Sequence, residues 1–195
     1  MKMNRRTYLV TTGAATASMV GLAGCLGGST GTLATRVTDQ PGDIADFDEC
    51  IVTIVGMWVG PEGADSGTEE GESPSEREYH EYDEPQEADL VQLQNGETQL
   101  VDERELETGS YEFLQLDTDG IDATLNDGSD ATVEVPGEAP LTFNEPFEVR
   151  EDTRTVFTAD FTPVKRGQTG SYVLQPVPDG ITIDYEDGGG TETEE

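Results

Sequence analysis

The chain has 195 residues, with 42 Asp and Glu against 10 Lys and Arg and a formal net charge of −32. Such a surplus of negative charge repels phosphate at every approach, which excludes nucleic acid and anionic membrane surfaces as electrostatic partners. With two cysteines and one histidine, the chain also lacks the Cys/His clusters that a zinc site needs.

The chain opens on Arg5-Arg6-Thr7-Tyr8-Leu9, continues through the mildly apolar run Val10 to Gly24, and reaches Leu22-Ala23-Gly24-Cys25. A positive start, an apolar middle and small residues at the cut are the parts of a secretory signal, in order. The apolar middle is diluted by Thr, Ala, Ser and Gly and is too weak to hold in a bilayer as a spanning helix of about 20 residues. Arg5, Arg6, Tyr8 and Leu9 resemble a twin-arginine signal, which implies export of an already folded protein. Leu22, Ala23, Gly24 and Cys25 are similar to a lipobox, in which the cysteine becomes the first mature residue and its sulfur carries lipid. Residues 1–24 are therefore expected to be a signal peptide, and 25–31 a lipidated Cys25 on a Gly/Ser/Thr-rich tether. The expected location is the outer face of the cytoplasmic membrane, with that lipid as the membrane contact.

Three of the ten basic residues, Lys2, Arg5 and Arg6, lie in that leader, so seven remain against 42 acids, a net charge near −35. Acid excess at low hydrophobicity suits disorder. It also suits a folded domain adapted to molar salt, where a Debye length of about 3 Å screens self-repulsion. Apolar alternation survives between the acids, which favours the folded halophilic reading, in an archaeal setting. With Cys25 lipidated, Cys50 is the only free thiol and no intrachain disulfide is possible. Lying in the apolar run Cys50 to Val55, it reads as a buried small hydrophobe.

From Leu33 the pattern has a period of two, Leu33, Thr35 and Val37 alternating with Ala34, Arg36 and Thr38, which predicts a strand. Asp39-Gln40-Pro41-Gly42-Asp43 is turn chemistry. Phe47 to Val59 is β-branched-rich, holds the only tryptophan, Trp58, and predicts a central strand buried on both faces for part of its length. Residues 60–87 are acidic and Gly/Ser/Pro-bearing, and predict a solvated loop or insertion, with Tyr79 and Tyr82 marking a short strand on its far side. His80 within it is a lone imidazole, a weak basis for a metal or a catalytic base.

Ala88 to Gln94 resumes the apolar pattern, and Glu97 to Leu106 predicts one or two turns of helix stopped at Thr108-Gly109. Tyr111, Phe113 and Leu116 lie on the next strand, and Asn126-Asp127-Gly128-Ser129 predicts a hairpin between Ile121–Leu125 and Ala131–Val135. Phe147 and Val149 begin another strand. Arg154 to Thr162 then alternates, with Thr155, Phe157, Ala159 and Phe161 on one face. Tyr172 to Val177 and Ile181 to Tyr185 complete the set, and residues 186–195 read as a disordered acidic tail. Short strands every 8–12 residues with no long amphipathic helix predict an all-β fold, a single antiparallel β-sandwich of immunoglobulin or transthyretin type spanning 32–185, with at most a short helix.

Gly31 to Ile44, followed by the Phe47 to Val59 strand, resembles the opening of the family called domain of unknown function 4382. Further matches are Ala88 to Leu93, Leu106 to Leu116 with Gly109 and Tyr111, Asn126-Asp127-Gly128, and Tyr172 to Val177. The resemblance covers nearly the whole mature chain and implies a β-sandwich of an exported lipoprotein, with no catalytic residues to carry over. The acidic insertion at 60–78 departs from the shorter connection usual in the family.

No catalytic constellation is legible. Carboxylate pairs abound by chance among 42 acids and so point nowhere in particular. Asp117, Asp119 and Asp122 around Gly120, and Asp127 and Asp130 around Gly128, are weak candidates for oxygen-rich calcium loops, although neither set fits the EF-hand spacing. No metal or cofactor is expected otherwise. The composite expectation is a non-enzymatic binding or structural module of the envelope taking a protein or glycan ligand. Its rivals are an extracellular carboxylate-dependent hydrolase and a calcium-dependent adhesion module.

Overall fold

The computed structural model describes residues 28–39, 42–67, 76–136, 139–167 and 170–187. The expected signal segment 1–24, Cys25 and the last eight residues lie outside the described residues. Among the described residues, eleven strands form two sheets: β1 (Thr30–Thr38), β2 (Phe47–Pro61), β3 (Glu78–Asp89), β4 (Gln99–Glu107), β5 (Gly109–Leu125), β6 (Val133–Glu134), β7 (Leu141–Phe143), β8 (Phe147–Val149), β9 (Thr153–Lys165), β10 (Tyr172–Pro176) and β11 (Thr182–Asp187). One sheet runs β4-β1-β9-β10-β6, with β11 beside the first half of β9; the other runs β3-β2-β5-β7, with β8 also on β5. Pairing is antiparallel except for β1 with β9 and β6 with β10, which are parallel.

The inner faces meet on Leu33, Val37, Val52, Ile54, Met57, Leu114, Leu116, Phe143, Phe157 and Phe161, each fully buried. Ring contacts tie the layers together. Phe143 on one sheet lies edge-on to Phe157 on the other at 6.4 Å, and Phe47 lies edge-on to Tyr172 at 4.6 Å. Such pairs add to the burial of their area. The expected all-β sandwich is the observed fold, and the face assigned to Phe157, Ala159 and Phe161 is the one in the core.

The strand buried on both faces over a long run is β9, from Thr155 to Pro163. Along β2 buried and partly exposed residues alternate until Met57. The short 3-10 turns Asp43–Asp46 and Pro178–Gly180 pack on β9, with Gly42 against Thr162 and Gly180 against Asp160.

Several local expectations are corrected. Residues 99–107 are not helical; they form β4, antiparallel to β1 through Thr30↔Glu107 to Val37↔Gln99 with one bulge at Thr35/Arg36. Glu, Leu and Arg favour helix locally, but β1 leaves an unpaired edge and the tertiary ladder overrides propensity. The stretch after Ala88 ends in a 3-10 turn, Leu90–Gly96, because Asp89 caps it by accepting from the Val91 amide at 3.1 Å and Asn95 and Gly96 take positive φ. The Asn126–Ser129 turn forms, closed by the Leu125 amide donating to the Ser129 carbonyl. Its second arm holds only the Thr124–Asp130 bridge before crossing to β10 of the other sheet. Of the stretch expected as loop, 78–87 is strand β3, twelve residues long with its end at Asp89 and paired along β2. β1 starts at Thr30 and β11 runs to Asp187, one or two residues into the expected tether and tail.

Phe157 is fully buried and in edge contact with both Phe143 and Phe147. Phe157→Ala should lower the unfolding free energy by about 3–5 kcal/mol, measured by urea unfolding in molar salt.

Candidate binding face and groove

The outer face of the β3-β2-β5-β7 sheet carries one continuous row of side chains. Register places Tyr79 of β3 beside Trp58 of β2, Trp58 beside Gln115 of β5, and Gln115 beside Thr142 of β7. The Trp58 and Tyr79 rings lie 4.5 Å apart, and the Arg77 guanidinium stacks on Trp58 at 3.8 Å from the ring centre. Arg77 also donates to Gln115 Oε1, while Gln115 Nε2 donates to the Ser66 carbonyl at 3.0 Å and to Thr142 Oγ1 at 2.8 Å. The insertion between β2 and β3 therefore folds onto the sheet from both its ends, through Ser66 and Arg77. That contact was not legible in its composition, because its anchors are one backbone carbonyl and one arginine.

Glycines make this row possible. A Cβ on Gly56 would collide with the Tyr79 phenol, which crosses β2 to donate to Asp117 Oδ2 at 3.1 Å; a Cβ on Gly60 would collide with the Phe113 ring. Each glycine lets an aromatic ring from a neighbouring strand lie flat across β2.

Beside Asp117 the sheets part into a groove of about 730 Å³ lined by Asp117, Asp119 and Ile121 of β5, Val133 and Glu134 of β6, and Arg166. The volume is in the range of ligand sites. Its floor is apolar: Ile121, Val133 and Val135 pack against the core edge. Its rims are charged, Asp117 and Asp119 on one side and the Arg166–Glu134 ion pair, 3.0 Å, on the other.

The five aspartates singled out in the sequence are thus separated. Asp117 and Asp119 line the groove. Asp122 is exposed on β5 opposite Ile51, and Asp127 accepts from the Ser129 amide at 2.9 Å and its hydroxyl at 2.5 Å, closing the turn. Those bonds hold the Asp127 pKa below the usual carboxylate range. Among the described residues, no group of three or more His, Cys, Asp or Glu could hold a metal ion. Cys50 is a free, fully buried thiol whose pKa burial pushes up to about 12, with Asp39 and Asp89 nearby adding to the rise. It is an inert core residue.

His80 lies on β3 opposite Met57. Burial first, and then the Arg104 charge, push its pKa below the ordinary value, so its 4.0 Å approach to Glu78 is not an ion pair at neutral pH.

Residues 30–176 match the sequence model of the family described as a domain of unknown function, DUF4382. The chain belongs to this family. No curated protein and no solved structure matches it. The strands that build the face and groove, from β2 to β7, lie inside the DUF4382 region, as does the acidic insertion whose two ends pack on the face. Among the described residues of this DUF4382 domain, no helix is long and apolar enough to cross a membrane.

Two measurements check this geometry. Trp58 is the only tryptophan, so Arg77→Ala should uncover its ring and shift its fluorescence emission to longer wavelength. For His80, the unfolded chain binds the proton more readily than the folded one, so stability is complete above pH of about 6.5 and falls as pH drops below it. His80→Gln should flatten the part of the decline in urea midpoint between pH 7.5 and 5 that His80 supplies.

Proposed function

We propose that this DUF4382 chain is a lipid-anchored, non-enzymatic binding module on the outside of the cytoplasmic membrane, exported by its paired arginines and held by Cys25. The observation that carries the binding role is the groove between the sheets, with an apolar floor, charged rims and the Trp58–Tyr79–Gln115 row beside it. A peptide or glycan laid along it meets apolar surface below and hydrogen-bonding groups on both sides.

Binding is favoured over hydrolysis by how the acids are arranged. Asp117 and Asp119 follow one another along β5, and Glu134, the acid across from them, is held by Arg166. Carboxylate catalysis needs two acids facing one another across the scissile bond, about 5–10 Å apart. The high acid content supports a domain at home in molar salt, where its self-repulsion is screened.

The test combines anchoring with contact. Cys25→Ser should release the protein from the membrane fraction or leave it unprocessed. A photo-crosslinking residue at Asp119 should give a discrete crosslinked species in intact cells, while one at Thr182 on the far sheet should not. Retention of the Cys25→Ser protein with unchanged mass would overturn the anchor, and equal silence at both crosslinking positions would overturn the groove.

A further inference from the structure

On the side of the sandwich opposite the groove, each sheet finishes on an edge strand. Among the described residues β4 pairs only with β1 and β3 only with β2, so both turn a row of backbone groups outward. The two edges stand across a trough of about 620 Å³, which continues past Leu100 into a second of about 680 Å³. Leu100 lines both and is 41 % exposed. Tyr82 lines the first, with its ring centre 5.5 Å from the Arg104 guanidinium. The residue is only 8 % exposed, and its hydroxyl has no hydrogen-bond partner within the domain. A buried hydroxyl left so is costly unless something reaches it from the trough.

The side chains of β4 say what fits. Asp102, Arg104 and Leu106 are the register partners of Thr35, Leu33 and Gly31 and face inward, where Asp102 accepts from Arg104 Nη2 at 2.7 Å. Glu103, Glu105 and Glu107 alternate with them and are exposed. Arg154 meets Glu103, while among the described residues Glu105 and Glu107 form no ion pair. The outer edge of β3 is interrupted by Pro85, which has no amide hydrogen, and by the register shift against β2 between Ile54 and Gly56. That of β4 runs unbroken from Asp102 to Glu107, beyond its one bulge, a length of about 20 Å.

Acids and a bulge guard an edge against its own kind, and a second copy of this chain would lay these glutamates against like charges. A segment of opposite sign is not turned away. With Lys or Arg at alternate positions, an extended segment sets a cation beside each glutamate, and its other side chains turn into the trough toward Leu100 and Tyr82. In molar salt, where the Debye length is about 3 Å, only charges in contact attract. The backbone ladder then supplies the affinity, and the glutamates choose the partner.

We propose that the outer edge of β4 is a docking strand for an extended partner segment in which basic and apolar residues alternate, added as a further strand beside β4 and β1. The site is independent of the groove.

The probe is a fluorescein-labelled peptide alternating Lys and Val over about eight residues, long enough to span the edge. It is titrated against the purified full chain in molar KCl and followed by anisotropy. Saturable one-to-one binding is expected, with amide hydrogen exchange slowed most along Gln99–Glu107. Two N-methylated versions, each blocking the backbone donors of one edge of the peptide, keep its charges. One should bind at least tenfold more weakly than the other, because only one edge faces β4. Glu105→Lys combined with Glu107→Lys, both exposed, should weaken the Lys peptide at least tenfold, whereas Asp119→Lys in the groove should leave its affinity unchanged. Absence of saturable binding, equal affinity for the two N-methylated versions, unchanged affinity in the double variant, or slowed exchange centred on the groove would each overturn the docking strand. The N-methyl comparison uses the unmutated chain and decides even if the double variant fails to fold.

Discussion

The contact between the two inner sheet faces holds this molecule together, and it does so against a charge near −35 on residues 25–195. Burial of Phe143, Phe157, Phe161, Leu114 and Leu116 is non-directional and needs no favourable surface chemistry. The acids can therefore accumulate outside without specifying a different fold. What they do change is the margin: self-repulsion opposes the compact state in proportion to how poorly solvent screens it.

Against that background the seven cations after residue 24 are conspicuous for where they sit. Arg154 of β9 reaches Glu103 of β4 and Glu186 of β11, both at 2.7 Å, spanning the sheet from either side of its central strand. Lys165 meets Asp46 at 3.1 Å, and the Tyr172 hydroxyl donates to the same carboxylate at 2.7 Å, which pins the turn before β2 to the end of β9. Individually such exposed pairs are worth little. Their placement across strands distant in sequence makes them markers of register more than sources of stability. Arg77 is used differently, spread on an aromatic ring and an amide.

The period-two alternation of β1 and β9, and the turn at Asn126–Ser129, were legible because half-buried strands write their facing into the sequence. Residues 99–107 were misleading because Glu, Leu and Arg are helix formers, while the unpaired edge of β1 that recruits them is a distant fact. β3 was foreseen only as a short strand around Tyr79 and Tyr82, for a related reason: an edge strand with a wet outer face can be rich in charge and still hydrogen-bond along its length. Of the candidate sites, the aspartates flanking glycines drew attention through turn composition alone. Asp39, buried without a hydrogen-bond partner at the end of β1, did not, since its surroundings come from the parallel pairing of β1 with β9, whose residues are distant in sequence. The groove was equally unreadable, because its two walls come from different sheets.

That parallel pairing also bears on how the polypeptide acquires its shape. Thr32 is laid beside Arg154, so the central ladder of one sheet joins the beginning of the domain to its last third. Closing so large a loop is entropically expensive and tends to slow folding. β1 has only β4 for company until β9 has been synthesised, and the sandwich is completed late, when all of the domain but its last two strands has been made.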